Sequence, residues 1–482
     1  MNYKGGYMKA SIYYDEADPL SIEAYGKKLI GKTFQDVCNA DDLNQIKEVV
    51  KTSNYEAKHE DKKRKGGLGE LIEERYFHYA ANSDSNPDFD KAGVELKVTP
   101  YKINKNKTLS AKERLILTMI DYCSVVNESF EESHLWNKAK LILLVYYLYE
   151  EGLKRLDYRI DYVKLFTPPE QDLKVIQHDY QVIVDKIKAG KAHELSEGDT
   201  LYLGAATKSA TSKNRTTQPY SDIPAKPRAF SFKTSYMTYV LNNYIVPGKR
   251  TYEPIIKDGE TVDSLEKYVT DKLDMYVGKT MDELCKEFEI DTTKKPKDIG
   301  AIVAYNILGI KGNTAEEFVK ANVAVKTIRI EHDNRIKENM SFPAIKYKEI
   351  VKEKWDDSTF GNYLRETKFL FVVYKFDDNG ELRLRGGQFW NIPYEDLEND
   401  VKEVWTRTRD VLDQGLKITV TKRGRTTNFP KAKENRVCHV RPHATTVNDV
   451  YELPDGRSYT KHCFWLNNSY ILSQLDDKFK KD

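Results

Sequence analysis

Five short blocks of this chain occur twice, in the same order, once in each half of its 482 residues. Leu29–Cys38 (LIGKTFQDVC) returns as Tyr276–Cys285 (YVGKTMDELC), and Lys65–Phe77 returns more loosely as Pro296–Leu308. Pro87–Pro100 (PDFDKAGVELKVTP) is echoed by Ala315–Arg329 (AEEFVKANVAVKTIR). Asn137–Tyr147 (NKAKLILLVYY) matches Arg365–Lys375 (RETKFLFVVYK), and Arg228–Met237 (RAFSFKTSYM) matches His462–Ile471 (HCFWLNNSYI). Chance supplies one such echo, not five in register, and the period is far too long for a solenoid. The pattern therefore predicts two related domains joined end to end, 1–248 and 249–482. The join falls in the Pro- and Gly-punctuated, polar stretch Tyr244–Thr261.

Periodicity within the first copy predicts a mixed α/β domain with helices packed on a central sheet. Leu68, Leu71, Ile72, Arg75, Tyr76 and Tyr79 follow helical spacing, so Leu68–Tyr79 is expected to be a helix. The segment GVELKVTP reads as a strand stopped by Pro100. The apolar run LILLVYYLY reads as a strand buried on both faces. A second helix is expected through PEQDLKVIQHDYQVIVDKIKAG, ended by Gly190.

Composition narrows the class. Lys plus Arg number 77 against 75 Asp plus Glu, so any basic surface must be local. The five cysteines are scattered with no CxxC pair, which predicts neither a disulfide framework nor a zinc site. No apolar run approaches 18 residues, and the N-terminus lacks an apolar signal core, so the expectation is a cytoplasmic protein with no membrane partner.

The repeated segment carries the chemistry. Residues two apart on a strand share a face, so Glu95 and Lys97 project together, and Asp88 lies close enough to join them from a preceding turn. Two converging carboxylates make a hard oxygen site suited to Mg²⁺. An adjacent ammonium can hold a water and offset charge on a phosphorane-like transition state, the equipment of phosphodiester hydrolysis. Glu73 shares its helix face with Gly69, Phe77 and Ala80, and Gly69 is expected to allow close backbone approach. Lys138 precedes the apolar run. Where the first copy has Glu73, Glu95 and Lys138, the second has Ala304, Ala324 and Glu366; Lys326 persists, and Glu317 stands where Asp88 does. Joint loss of these groups is one event if they form a catalytic site, which predicts a cutting first domain and a second kept for binding.

The residues GGLGELIEE…PDFDKAGVELKVTP…SHLWNKAKLILLVYY resemble MutH, the GATC-nicking endonuclease of mismatch repair, within the PD-(D/E)xK superfamily. The two-copy arrangement is similar to the MutH-like type II restriction endonucleases of the staphylococcal type that cut GATC. The resemblance implies two tandem PD-(D/E)xK domains, an active one followed by an inactive one. It implies Mg²⁺ ligands at Asp88, Glu95 and the Leu96 carbonyl, a water-positioning Lys97, and auxiliary roles for Glu73 and Lys138. His439–Ala444 (HVRPHA) resembles the family's DNA-contacting Arg-Pro-Lys-Ala segment, with Arg441 and His443 in the Arg and Lys places; in the first copy Lys208 matches but Ala206 replaces the Arg.

Two basic segments, Thr207–Lys233 and Thr421–Lys433, have the composition of phosphate-tracking loops. With the resemblance they nominate Lys208, Lys213, Arg215, Arg228, Lys233 and Ser235 in the first copy, and Lys422, Arg423, Arg425, Arg441 and His443 in the second. The implied partner is double-stranded DNA, one duplex per domain, with self-association on DNA or sequential nicking as routes to a double-strand cut. The rivals are a mismatch-repair-type nickase and a non-catalytic sequence-specific DNA-binding protein. A methyltransferase ranks low, because FTPPEQ lacks the acid and aromatic of that enzyme's motif.

Overall fold

The computed structural model describes residues 13–39, 67–79, 86–208, 213–248, 252–257, 259–260, 262–293, 296, 298–421, 424–446 and 448–480. In the first half the strands are β1 (Glu95–Ile103), β2 (Leu109–Ala111), β3 (Leu115–Met119), β4 (Ile142–Leu148), β5 (Ile160–Phe166), β6 (Leu203–Thr207), β7 (Thr216–Gln218), β8 (Ser221–Ala225) and β9 (Arg228–Phe232). In the second they are β10 (Val323–Ile330), β11 (Met340–Ala344), β12 (Lys368–Phe376), β13 (Leu382–Trp390), β14 (Ile418–Thr421), β15 (Gly424–Thr427), β16 (Cys438–Pro442), β17 (Val450–Glu452), β18 (Ser458–Thr460) and β19 (His462–Leu466).

The pairing recurs. One sheet has the order β2-β1-β4-β5 and another β10-β12-β13, each built on a parallel pair, β1 with β4 and β10 with β12. Each half also has an antiparallel three-stranded sheet, β3-β9-β6 and β11-β19-β16. Even the register repeats: Ala206 pairs with Ala229, and Arg441 pairs with Cys463.

β4 shows why a continuous apolar run was needed. Ile142, Leu144 and Tyr146 enter one core, while Leu143 and Val145 enter another that holds Leu68, Ile72, Phe77, Phe89 and Leu96. A strand buried on both faces cannot alternate with polar residues. The helix Glu170–Lys188 forms as expected and ends at Gly190, whose φ of +71° suits a residue without Cβ.

The halves share a core. The cluster containing Leu144, Tyr236 and Val240 continues into Leu265, Val269, Ala321 and Leu370. Beside it Lys320 Nζ lies 2.6 Å from Asp172 Oδ1, the two side chains 4% and 2% exposed. Tyr236 donates to the other oxygen of Asp172 at 3.1 Å, and Ser235 Oγ donates to the Lys320 carbonyl at 2.8 Å. Arg114 bridges Glu197 and, at 2.7 Å, Glu366. Opposite charges taken out of water stay ionised only when paired this closely.

Three local expectations are corrected. The helix expected over Leu68–Tyr79 is α-helical only over Gly67–Leu71 and continues as a π turn over Ile72–Tyr76. β1 does not stop at Pro100 but runs on to Ile103. Its β2 partner begins only at Tyr101, so Pro100 sits where β1 has a strand on one side alone, a position that tolerates a missing N–H. At Gly69 no close approach is made among the described residues: a Cβ built there would meet nothing of them nearer than Glu73 Oε1 at 3.9 Å.

Candidate active site

The sequence PDFDKAGVELK folds back on itself. Phe89 and Val94 exchange backbone hydrogen bonds at 2.9 and 3.3 Å across a 3₁₀ turn, Asp90–Ala92, closed by Gly93 at φ +64°. The turn brings Asp88 against β1, where its Oδ2 accepts the Leu96 N–H at 2.8 Å. Glu95, 2% exposed, accepts from Lys97 Nζ at 2.7 Å on the same strand face. Lys138 reaches the same carboxylate, 3.3 Å from Oε2 and 3.4 Å from Oε1. It comes from the last turn of the helix His134–Ala139, which Ser133 caps by accepting the Trp136 N–H. Such a cap contributes about 1 kcal/mol, and here it fixes where Lys138 emerges.

Glu73 sits in the π turn, where Phe77 N–H bonds Ile72 O at 3.0 Å and Tyr79 N–H bonds Glu73 O at 3.1 Å. Turns of this kind are rare and concentrate at functional sites. Burial, and then the Asp88 charge, push the Glu73 carboxyl up to about 7. Burial, and then Glu95, push Asp88 up to about 6, against the pull of the Leu96 N–H, Lys97 and Lys138. Burial, with the acids' mutual repulsion added to it, thus disfavours their charged forms, a cost that a small hard cation would relieve. Among the described residues no group of three or more His, Cys, Asp or Glu stands as a ready metal cage. Two carboxylates with a backbone carbonyl nevertheless suit a cation that keeps several waters.

All five expected catalytic residues thus lie around one strand end. The counterparts in the second half have other employment. Ala304 and Ala324 offer no side-chain oxygen. Glu317, nearly buried, accepts the Ile255 and Ile256 N–H groups at 2.9 and 3.0 Å, and Glu366 is held by Arg114. Burial lowers the Lys326 pKa, and no ion pair of Lys326 is found among the described residues. A cavity of about 550 Å³ opens beside Lys326, Arg329, His332 and Lys337, away from the first-half carboxylates.

The candidate DNA contacts divide. Lys208, Lys213, Arg215, Arg425, Arg441 and His443 are exposed, and Arg441 stacks over the Trp465 ring at 4.9 Å. Lys422 and Arg423 lie outside the described residues. Arg228 and Lys233 are corrected to interior roles, and half-buried Ser235 to a bond within the protein. Arg228 (5% exposed) donates to the Ala205 carbonyl at 2.5 Å and to that of Leu195; Lys233 (3% exposed) donates to the Thr200 carbonyl, burial pushing its pKa down to about 8. Ser235 is turned to Lys320. Strand β9 buries its whole length, so its flanking cations could not stay at the surface. Residue-type reading also missed Arg114, Asp172 and Lys320, because pairing across the halves leaves no local spacing to find.

Comparison with known proteins agrees with this geometry. The family model of the DNA mismatch repair enzyme MutH matches residues 77–179, from the end of the π turn through the lysine-bearing helix and β4. The MutH mismatch repair protein of Vibrio campbellii is 27% identical over 193 residues, spanning 38% of this chain and 81% of its own length; that of Shewanella baltica is 29% identical over 186 residues. The type II restriction enzyme Sau3AI of Staphylococcus aureus is 37% identical over 481 residues, covering 90% of this chain and 97% of that enzyme. With its carboxylates and lysines gathered at β1 and a likeness that runs through both halves, the chain belongs to the family of type II restriction enzymes that includes Sau3AI.

Proposed function

We propose that this protein is a Mg²⁺-dependent endonuclease of the bacterial cytoplasm that hydrolyses both strands of double-stranded DNA at 5′-GATC. In this reading residues 1–248 form the cutting PD-(D/E)xK domain and residues 249–482 a degenerate copy that binds a second duplex. The observation that carries it is the meeting of Asp88, Glu95, Lys97 and Lys138 at β1, against Ala324 and an engaged Glu366 at β10.

Asp88, Glu95 and the Leu96 carbonyl would hold Mg²⁺, which would supply charge stabilisation to the phosphate oxygens. The chain's own groups do the rest. Lys97, fixed by Glu95, donates hydrogen bonds that orient the attacking water. Lys138 brings a second ammonium to the scissile phosphate and offsets charge as the P–O bond breaks. Glu73, outside the ligand set, is the acceptor that would take the water's proton. Lys208, Lys213 and Arg215 would track phosphates in the first half; Lys422, Arg423, Arg425, Arg441 and His443 would contact the second duplex.

Activation of cutting by the second duplex requires that it bind the cutting-competent form more tightly than the other. Because the halves share a core, the test keeps the chain whole. Supercoiled plasmids with one and two GATC sites are digested with Mg²⁺ by wild type, Glu95→Ala and Arg441→Ala, and the ends are sequenced. Linear products at GATC from wild type and none from Glu95→Ala support the reading. Open circles alone favour the nickase, and DNA binding without cutting favours the scaffold. Equal rates for wild type and Arg441→Ala on the two-site plasmid would remove the activation.

A further inference from the structure

Tyr79 lies between the segment that carries Glu73 and the one that carries Asp88, yet its side chain bonds to neither acid. Its hydroxyl oxygen is buried and has no hydrogen-bond partner among the described residues. Its backbone N–H is bonded to the Glu73 carbonyl at 3.1 Å, and its ring meets Phe89, the neighbour of Asp88, edge-on at 5.3 Å. Tyr79 therefore ties the segment carrying Glu73 to the one carrying Asp88. Burial, and then the Asp88, Glu73 and Glu95 charges, hold its phenol well above the ordinary tyrosine range.

A buried hydroxyl without a partner costs about 1–3 kcal/mol, and a phenylalanine would avoid that cost while filling the same apolar space. Nearby rings do satisfy their hydroxyls: Tyr14 donates to the Phe77 carbonyl at 3.0 Å and Tyr76 to that of Tyr25 at 2.8 Å. Asp88 has one oxygen, Oδ2, taken by the Leu96 N–H, which leaves its second oxygen to be oriented by something else. Resting on the nuclease reading, we propose that Tyr79 is a positioning residue of the site: when cation and DNA draw the carboxylates together, its hydroxyl donates to Asp88, fixes the rotation of that carboxylate and holds Glu73 in line with it. The hydroxyl is left unsatisfied in the free protein and satisfied in the loaded one, so its hydrogen bond favours the loaded arrangement.

The test is Tyr79→Phe in the full-length chain, which deletes one oxygen and leaves the ring. Unfolding midpoint, DNA affinity, single-turnover cleavage with Mg²⁺ and the affinity of the protein–DNA complex for Ca²⁺ by calorimetry are compared with wild type. The expected result is an unchanged or higher midpoint and unchanged DNA affinity, with cleavage at least roughly tenfold slower and Ca²⁺ bound several-fold more weakly. A merely structural tyrosine would move the midpoint and spare the other two. Cleavage and Ca²⁺ affinity both within twofold of wild type would overturn the proposal while leaving the nuclease reading standing. If wild type itself does not cut, the nuclease reading falls instead, and an unchanged Ca²⁺ affinity in Tyr79→Phe then removes this proposal with it.

Discussion

At β1 the charged side chains meet one another; at β10 their counterparts meet the rest of the molecule. Both strands open from a left-handed residue, Gly93 at φ +64° and Asn322 at φ +54°, and both lie parallel to a buried apolar strand. The backbone scaffold is thus held in common. In the first half a helix ending in Lys138 and a π turn carrying Glu73 converge on Glu95. In the second, the helix Ile299–Ile307 packs so tightly that a Cβ on Gly300 would lie 2.8 Å from Thr327, while Glu317 holds the Ile255–Ile256 backbone and Glu366 holds Arg114. At β10, then, one acid braces the backbone of its own half and the other, Glu366, ties that half to Arg114 of the first.

The contrast can be broken most severely at Glu95. Glu95→Ala should slow single-turnover cleavage by roughly 10³-fold or more, since several kcal/mol of charge stabilisation go with the carboxylate, while DNA binding survives. The junction comes next. Lys320→Ala strands the buried Asp172 and should destabilise the protein by about 3–5 kcal/mol, read as a lowered urea midpoint; Lys320→Met with Asp172→Leu should recover much of that. Restoring the second site should fail: Ala324→Glu with Glu366→Lys in a Glu95→Ala background should not restore cutting. Facing Arg114 with an ammonium should also lower stability by about 1–3 kcal/mol, the pair being partly exposed. Arg441→Ala should weaken DNA binding by about 1–3 kcal/mol in a binding titration, with little effect on the unfolding midpoint.

The smallest effect sharpens the comparison through pH. Asp88 and Glu73 hold protons in the folded state to about 6 and about 7, whereas their ordinary values are 3.8 and 4.5. Folding therefore binds more protons than unfolding does between those limits, so the contribution of these groups to stability falls as pH rises from roughly 4 to 7. Without divalent ions, the difference in urea midpoint between Glu73→Gln and wild type should grow from pH 5 to pH 8, and Mg²⁺ should shrink it.

Much of this molecule was legible in its residues. The apolar run of β4 could only be doubly buried, Gly190 marked a helix end, and the spacing of Glu95 and Lys97 put them on one face. Two carboxylates, Glu73 and Glu95, each missing from the second copy of its block, marked the difference between the copies in the residues themselves. Period alone could not reveal the π turn at Ile72–Tyr76, because one inserted residue per turn is invisible to a helical wheel. Nor could it assign the cations at the two ends of β9: a basic stretch beside small polar residues reads as a DNA loop, yet β9, paired with β3 on one side and β6 on the other, carries Arg228 and Lys233 inside.

What the sequence determined by itself was therefore the local and repetitive part: two copies, their strands, and the residue types a hydrolytic site needs, each encoded within a few consecutive positions. The tertiary structure decided what depends on distant segments meeting. It placed Lys138 on Glu95, tied Glu366 to Arg114, buried Lys320 against Asp172 and set the Tyr79 ring against Phe89. These contacts join residues 43, 252 and 148 positions apart in the first three cases, and no periodicity of a single segment encodes such a separation.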